Sequence, residues 1–118
     1  MQEKWVFKSE SIKNANNINT ALSCVFNEKK NELEIFLSLY TKLEGALAEN
    51  IQLVDPIVTP EQNTGSLFLS FNKIFYNACL NINETDLDKI KLTYEFKPEN
   101  GHLVLVGPDI PEREVEDL

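Results

Sequence analysis

Few residues in this sequence have the type and spacing that catalysis requires. The single histidine, His102, could act as a general base only beside a nucleophile and an orienting acid, which the sequence does not place near it. Cys24 lies among Leu, Val and Phe, surroundings that do not lower a thiol pKa. One histidine and two distant cysteines, Cys24 and Cys79, cannot supply the ligands of a zinc site, and the four glycines form no phosphate loop. We therefore predict no enzymatic activity and no cofactor.

A run of oxygen-bearing side chains precedes the clearest strand pattern of the chain. Its members are Asn81, Asn83, Thr85, Asp86 and Asp88. The spacing departs from a calcium loop, because Asp86 stands where glycine is needed and Leu92 where the bidentate glutamate is needed. A solvated turn is the preferred interpretation, and no metal site is predicted.

The sequence contains an excess of acidic residues. Its net charge is −8, from 11 Lys plus Arg against 19 Asp plus Glu, and Arg113 is the only arginine. Such a field repels nucleic acids and anionic membranes and attracts basic proteins. The scarcity of arginine also argues against the reading of phosphates and base edges. We expect a basic protein partner, no nucleic acid and no membrane.

Two acidic clusters flank the last pair of predicted strands and are the predicted partner-binding residues. The first cluster contains Glu84, Asp86 and Asp88, and the second contains Asp109, Glu112, Glu114, Glu116 and Asp117. If the strands between them pair, the clusters lie at one acidic end. The alternative interpretation is that both are merely solvated ends of a hairpin.

The strand pattern between these clusters is a β-hairpin. Apolar and polar residues alternate from Ile90 to Phe96, which predicts a strand with one buried face. Residues 97–101 contain Pro98 and Asn100-Gly101, which favour a turn. The return strand, 102–106, is apolar throughout its last four positions, as in strands that lie inside a sheet.

Other segments give weaker patterns. We predict an edge strand at 5–7, a loop or short helix held by Ile12 and Ile18 within 9–19, a second hairpin formed by 21–26 and 33–40, a short helix at 43–49, a strand at 51–54, strands at 67–71 and 73–82, and an acidic turn at 83–88. A helix remains the alternative for 33–40 and for 67–82, because helical spacing also fits both.

These elements predict an α+β, β-rich fold with a mostly antiparallel sheet and one or two short helices; an all-β sandwich is the alternative. The 118 residues suit a single domain, with 108–118 as an acidic tail. Residues 1–5 lack the pattern of a secretion leader, and no apolar run approaches ~20 residues. We therefore expect a cytoplasmic protein.

Two functions fit this profile. The first is an acidic inhibitor, such as an immunity protein that neutralises a basic, nuclease-type toxin; the Asn-, Lys- and Ile-rich composition fits an AT-rich bacterial source. The second is an exported β-sandwich interaction or adhesion module with a Cys24–Cys79 disulfide. The strings around both cysteines resemble the cysteine strands of immunoglobulin domains, although Trp5 precedes both instead of lying between them.

Overall fold

The computed structural model describes residues 2–57, 59, 61–77 and 82–110, with the backbone alone at 76, 77 and 82–85. The elements in chain order are β1 (Lys4–Lys8), α1 (Glu10–Lys13), α2 (Ile18–Glu28), α3 (Lys30–Thr41), a first 3-10 turn (Lys42–Glu44), β2 (Ala46–Leu53), β3 (Thr64–Asn77), β4 (Ile82–Lys97), a second 3-10 turn (Pro98–Asn100) and β5 (His102–Val106). The strands form one curled antiparallel sheet in the order β1-β5-β4-β3-β2. The predicted β-rich α+β fold is confirmed, and the all-β sandwich alternative is wrong.

The hairpin of β4 and β5 is confirmed with its predicted turn. Lys97 lies opposite His102 and Thr93 opposite Val106. Gly101 has a φ of 70°, a value that costs glycine nothing and other residues much more. Alternation along β4 buries Leu92, Tyr94 and Phe96 and leaves Lys91, Thr93 and Glu95 exposed.

The hairpin predicted for 21–26 and 33–40 is wrong, because both segments are helical. Asn17 starts α2 as its N-cap, where its side-chain oxygen accepts a hydrogen bond from the Thr20 N–H. Residues 30–41 form a helix and not a strand, because the helix buries four large side chains on one face. These are Leu33, Phe36, Leu37 and Tyr40.

The helix predicted at 43–49 is also wrong. Helical structure ends after Glu44, because Gly45 takes a φ of 81° and the chain then turns into β2. Pairing with β3 overrides the helix propensity of residues 46–48. The strand predicted at 51–54 is confirmed at 51–53, which form the end of β2.

The acidic turn predicted at 83–88 is wrong, because these residues form part of a strand. This segment belongs to β4 and pairs with residues 71–76 of β3. The strand predictions at 67–71 and at the start of 73–82 are confirmed by β3, and 78–81 lie outside the described residues. The turn was predicted because the alternating residues here are acids, whereas the usual strand pattern has apolar residues at alternate positions.

The core lies between the helices and one face of the sheet. β1 is an edge strand, as predicted, and β5 lies between β1 and β4, which explains its apolar sequence. Within 9–19 the short-helix alternative is confirmed for Glu10–Lys13, which form α1, whereas Ile18 begins α2. Ile12 and Ile18 are both fully buried. The largest fully buried side chains include Phe7, Phe36, Leu37, Leu92, Leu103 and Leu105.

Candidate functional site

A lysine between two carboxylates forms the centre of the acidic end of the sheet. The Lys73 Nζ lies 2.8 Å from the Glu44 Oε1 and 3.2 Å from the Asp88 Oδ2. It also lies 5.9 Å from the centre of the Phe75 ring. The Lys73 side chain is only 13% exposed, whereas those of Glu44 and Asp88 are 52% and 46% exposed. The carboxylates therefore present their charge to solvent, and the lysine does not.

These contacts favour the charged form of the lysine. The hydrogen bond to Glu44 is the main cause that raises the pKa of Lys73, and Asp88 adds to it against the opposing effect of burial. Asp88 is occupied on both oxygens, because its Oδ1 accepts a hydrogen bond from the Lys89 N–H at 2.8 Å. Asp88 therefore has a structural role in addition to the predicted one.

Strand alternation determines which acids share this surface. Asp86 lies opposite Lys73 and Asp88 opposite Phe71, whose side chain belongs to the core. Side chains two residues apart on a strand point to the same face of the sheet. Asp86 and Asp88 therefore lie on the same face of β4 as the buried Leu92. The core face of the sheet thus becomes acidic toward this end.

The same part of β4 has an open edge. β5 pairs only with Thr93–Lys97, so residues 82–92 extend past it by roughly 36 Å. On that side no strand pairs with them in the part of the chain that the structure describes. Phe96 donates its N–H to Asn63 on the β3 side. The alternation of an antiparallel strand then directs the backbone groups of Lys91, Lys89 and Leu87 to the open side.

The structure brings some predicted residues together and leaves others apart. Asp86 is exposed beside the Lys73 cluster, and the backbone of Glu84 lies opposite Phe75. Asp109 follows β5 and lies close enough to Tyr40 to raise the pKa of its hydroxyl, although burial is the larger cause. Glu112, Glu114, Glu116 and Asp117 lie outside the described residues. That these acids bind a partner remains a prediction.

Sequence reasoning missed Glu44 and Lys73. They are 29 residues apart, and only the return of the chain from the first 3-10 turn through β2 to β3 brings them together. No short-range pattern marks such a pair. The acids of β4 did carry a signal, because residues 84, 86 and 88 have the two-residue period of a strand.

The other residues considered for chemistry lie apart from this surface. His102 is half-buried at the start of β5 between Lys8 and Lys97. Cys24 is a free, half-buried thiol on α2, and burial raises its pKa. Its proposed partner Cys79 lies outside the described residues. Among the residues that are described, no three His, Cys, Asp or Glu side chains are grouped as metal ligands.

Comparisons with protein-family models, curated proteins and solved structures found no match to this chain. Within the described ranges, no helix combines the length and apolar character needed to cross a bilayer.

Proposed function

We propose that this chain is an acidic inhibitor that binds a basic surface of another protein and catalyses no reaction. The observation that carries the proposal is the acidic open edge of β4, where Asp86 and Asp88 lie beside backbone groups that no strand of the described residues pairs. On the face that carries Asp86 and Asp88, the described carboxylates of Glu44, Asp86 and Asp88 outnumber the ammonium of Lys73. The exposed Lys89 and Lys91 belong to the opposite face of β4. A surface of this kind favours cationic side chains of a partner.

Electrostatics gives the mechanism its first step. With a net charge of −8, the chain accelerates encounter with a basic protein, and the acceleration falls as salt screens the field. Rim carboxylates such as Asp86 contribute mainly to this step. Tight binding then requires desolvated contacts near the centre of the interface.

The open edge supplies a second kind of contact. An extended segment of the partner can add to β4 through the outward backbone groups of Leu87, Lys89 and Lys91. Basic side chains on the segment would then meet Asp86 and Asp88. To pair at Lys89, the segment would have to displace the Asp88 carboxylate from the Lys89 N–H.

We infer that the partner is a nuclease-type toxin and that this chain is its immunity protein in a bacterial cytoplasm. Nuclease active sites are basic because they bind phosphates, so a carboxylate-rich surface can occupy them in place of the nucleic acid. This proposal is supported by the charge of the chain and by the scarcity of arginine.

The test begins with the tagged chain as bait in a lysate of its source cells, at low and at high salt. We expect capture of a basic protein that is released as salt rises. With the purified partner, Asp86→Lys should weaken binding about tenfold at low salt. Asp55→Lys makes the same charge change at an exposed position after β2 and should change the Kd less than twofold.

Three results would reject the proposal. The first is an acidic partner, the second is a Kd that does not depend on salt, and the third is equal weakening by the Asp86 and Asp55 variants. Nuclease activity that remains after addition of excess chain would reject the toxin as partner while leaving the binding surface supported.

A further inference from the structure

A second apolar stripe runs along α3 on the side that faces away from the core. Ile35 is 53% exposed, and Leu39 one turn later is half-buried. Leu43 and Leu47, which follow in the 3-10 turn and in β2, are 60% and 58% exposed. Exposed apolar side chains grouped in this way are typical of an interaction surface.

A groove of about 640 Å³ lies between α3 and β2. Its apolar lining includes Ile35, Leu39 and Leu47, and its charged rim contains Glu34, Lys42 and Glu49. The groove therefore offers an apolar floor between charges of both signs. This composition differs from that of the acidic edge of β4.

The outer edge of β2 cannot accept another strand here. The Ser38 hydroxyl accepts a hydrogen bond from the Ala48 N–H at 3.0 Å, and the Thr41 hydroxyl donates one to the Ala46 carbonyl oxygen at 2.8 Å. These side chains of α3 occupy the backbone groups that an added strand would need. A partner must therefore pack side chains into the groove.

The charges indicate which partner fits. Glu34 of α3 and Lys42, the first residue of the 3-10 turn that continues it, are eight residues apart, about 12 Å at the rise of an α-helix, and Ser38 lies midway between them. Neither forms an ion pair with another residue in the described part of the chain. An antiparallel pairing of two α3 helices through Ile35 and Leu39, centred at the level of Ser38, would place Glu34 of each copy opposite Lys42 of the other.

We propose that the groove is occupied by a second copy of this chain, in a two-fold symmetric dimer formed by α3. Such an interface is self-complementary, since each copy supplies both the apolar stripe and the charge pair. Apolar contacts of Ile35, Leu39 and Leu47 stabilise the dimer, and the two reciprocal ion pairs fix the antiparallel orientation. The proposal is independent of the toxin partner.

The test is a charge swap, with mass measured by analytical ultracentrifugation from micromolar to submillimolar concentration. We expect the unmodified chain to dimerise. Glu34→Lys or Lys42→Glu alone should shift it to monomer, because like charges then face each other, and the double variant should restore the dimer. Glu10→Lys and Lys13→Glu on α1 repeat the charge changes at exposed positions and should leave the dimer unchanged.

Circular dichroism checks that every variant is folded. A chain that stays monomeric over the whole concentration range would overturn the proposal. So would a dimer that persists in both single variants, or a double variant that remains monomeric. Loss of the dimer in the α1 variants would show that net charge alone controls association, which also contradicts the proposed pairing.

Discussion

The Tyr40 hydroxyl donates a hydrogen bond to the Pro108 carbonyl oxygen at 2.9 Å, which links α3 to the segment after β5. The same hydroxyl accepts one from the Glu3 N–H at 2.8 Å. The Gly107 N–H in turn donates to the Glu3 carbonyl oxygen at 2.9 Å. One phenol thus joins a helix to both ends of the described chain.

We predict that Tyr40→Phe lowers the free energy of unfolding by about 1–3 kcal/mol, because the Glu3 N–H and the Pro108 carbonyl lose their partner. Urea unfolding can be followed by the fluorescence of Trp5, the only tryptophan, which packs near Phe36. Ser23→Ala removes an exposed hydroxyl from α2 and should change stability by less than 0.5 kcal/mol in either direction. Equal effects of the two substitutions would contradict the role of Tyr40.

Alkaline pH should reduce the difference between Tyr40→Phe and the unmodified chain. Burial raises the pKa of the Tyr40 hydroxyl above its ordinary value of 10.0. Below pH 10 both the folded and the unfolded chain keep this proton, so it causes no pH dependence of stability. As pH rises from 10 through the folded pKa, the unfolded chain releases the proton more readily, and stability falls.

The phenylalanine variant lacks this loss, so its stability should approach that of the unmodified chain above pH 10. Lys73, whose pKa is also raised, loses its stabilising charge as pH rises through that pKa in both proteins. The comparison of the two urea curves therefore isolates Tyr40. A difference in stability that stays constant from pH 7 to the alkaline limit of folding would refute the prediction.

Gly107 is required because Tyr40 leaves no room for a side chain there. A Cβ at this position would overlap the oxygen and ring carbons of Tyr40. We predict that Gly107→Ala costs about 1–3 kcal/mol, measured by urea unfolding. Gly45 makes a useful contrast: a Cβ there meets nothing within 4 Å, but its φ is 81°.

Asparagine should distinguish the two causes. Because it tolerates a positive φ, Gly45→Asn should destabilise less than Gly45→Ala. At position 107 the problem is space, so Gly107→Asn should be at least as harmful as Gly107→Ala. The reverse order at either position would disprove the assigned cause.

Asn19 attaches the segment after β2 to α2 with both ends of its amide. Its nitrogen donates to the Ile57 carbonyl at 3.1 Å, and its oxygen accepts from the Ile57 N–H at 2.9 Å. Asn19→Asp keeps the acceptor but replaces the donor, so we predict a loss of about 1–2 kcal/mol and faster hydrogen exchange at Ile57. Asn16→Asp makes the same charge change at an exposed position and should leave the Ile57 exchange rate unchanged.

The hairpin and the edge strand could be predicted because their local pattern and their tertiary role agree. For α3 the sequence carried two valid patterns, since Ile35 and Leu39 complete an alternation with Leu33 and Leu37. Only packing decides between them, and it buries the helical stripe and leaves Ile35 in the groove. Apolar residues on an exposed stripe therefore misled the strand prediction.

Only part of the acidic site could be predicted from the sequence. Asp86 and Asp88 could be selected from charge alone, but their strand position required the pairing of β4 with β3. β2 shows the same limit: Asn50, with a φ of 54°, interrupts its alternation, so that Ala48 and Ile51 are both buried three residues apart. No local sequence pattern predicts this shift in strand register.

The pairing of β1 with β5 sets the timing of folding during translation. Lys4 lies opposite Val106, so β1 cannot find its partner until almost the whole described chain has been synthesised. At ordinary ribosomal rates this interval lasts roughly 5–20 s. Throughout it Trp5 and Phe7 lack the neighbouring strand. The nascent chain should therefore be a chaperone client for longer than its size suggests.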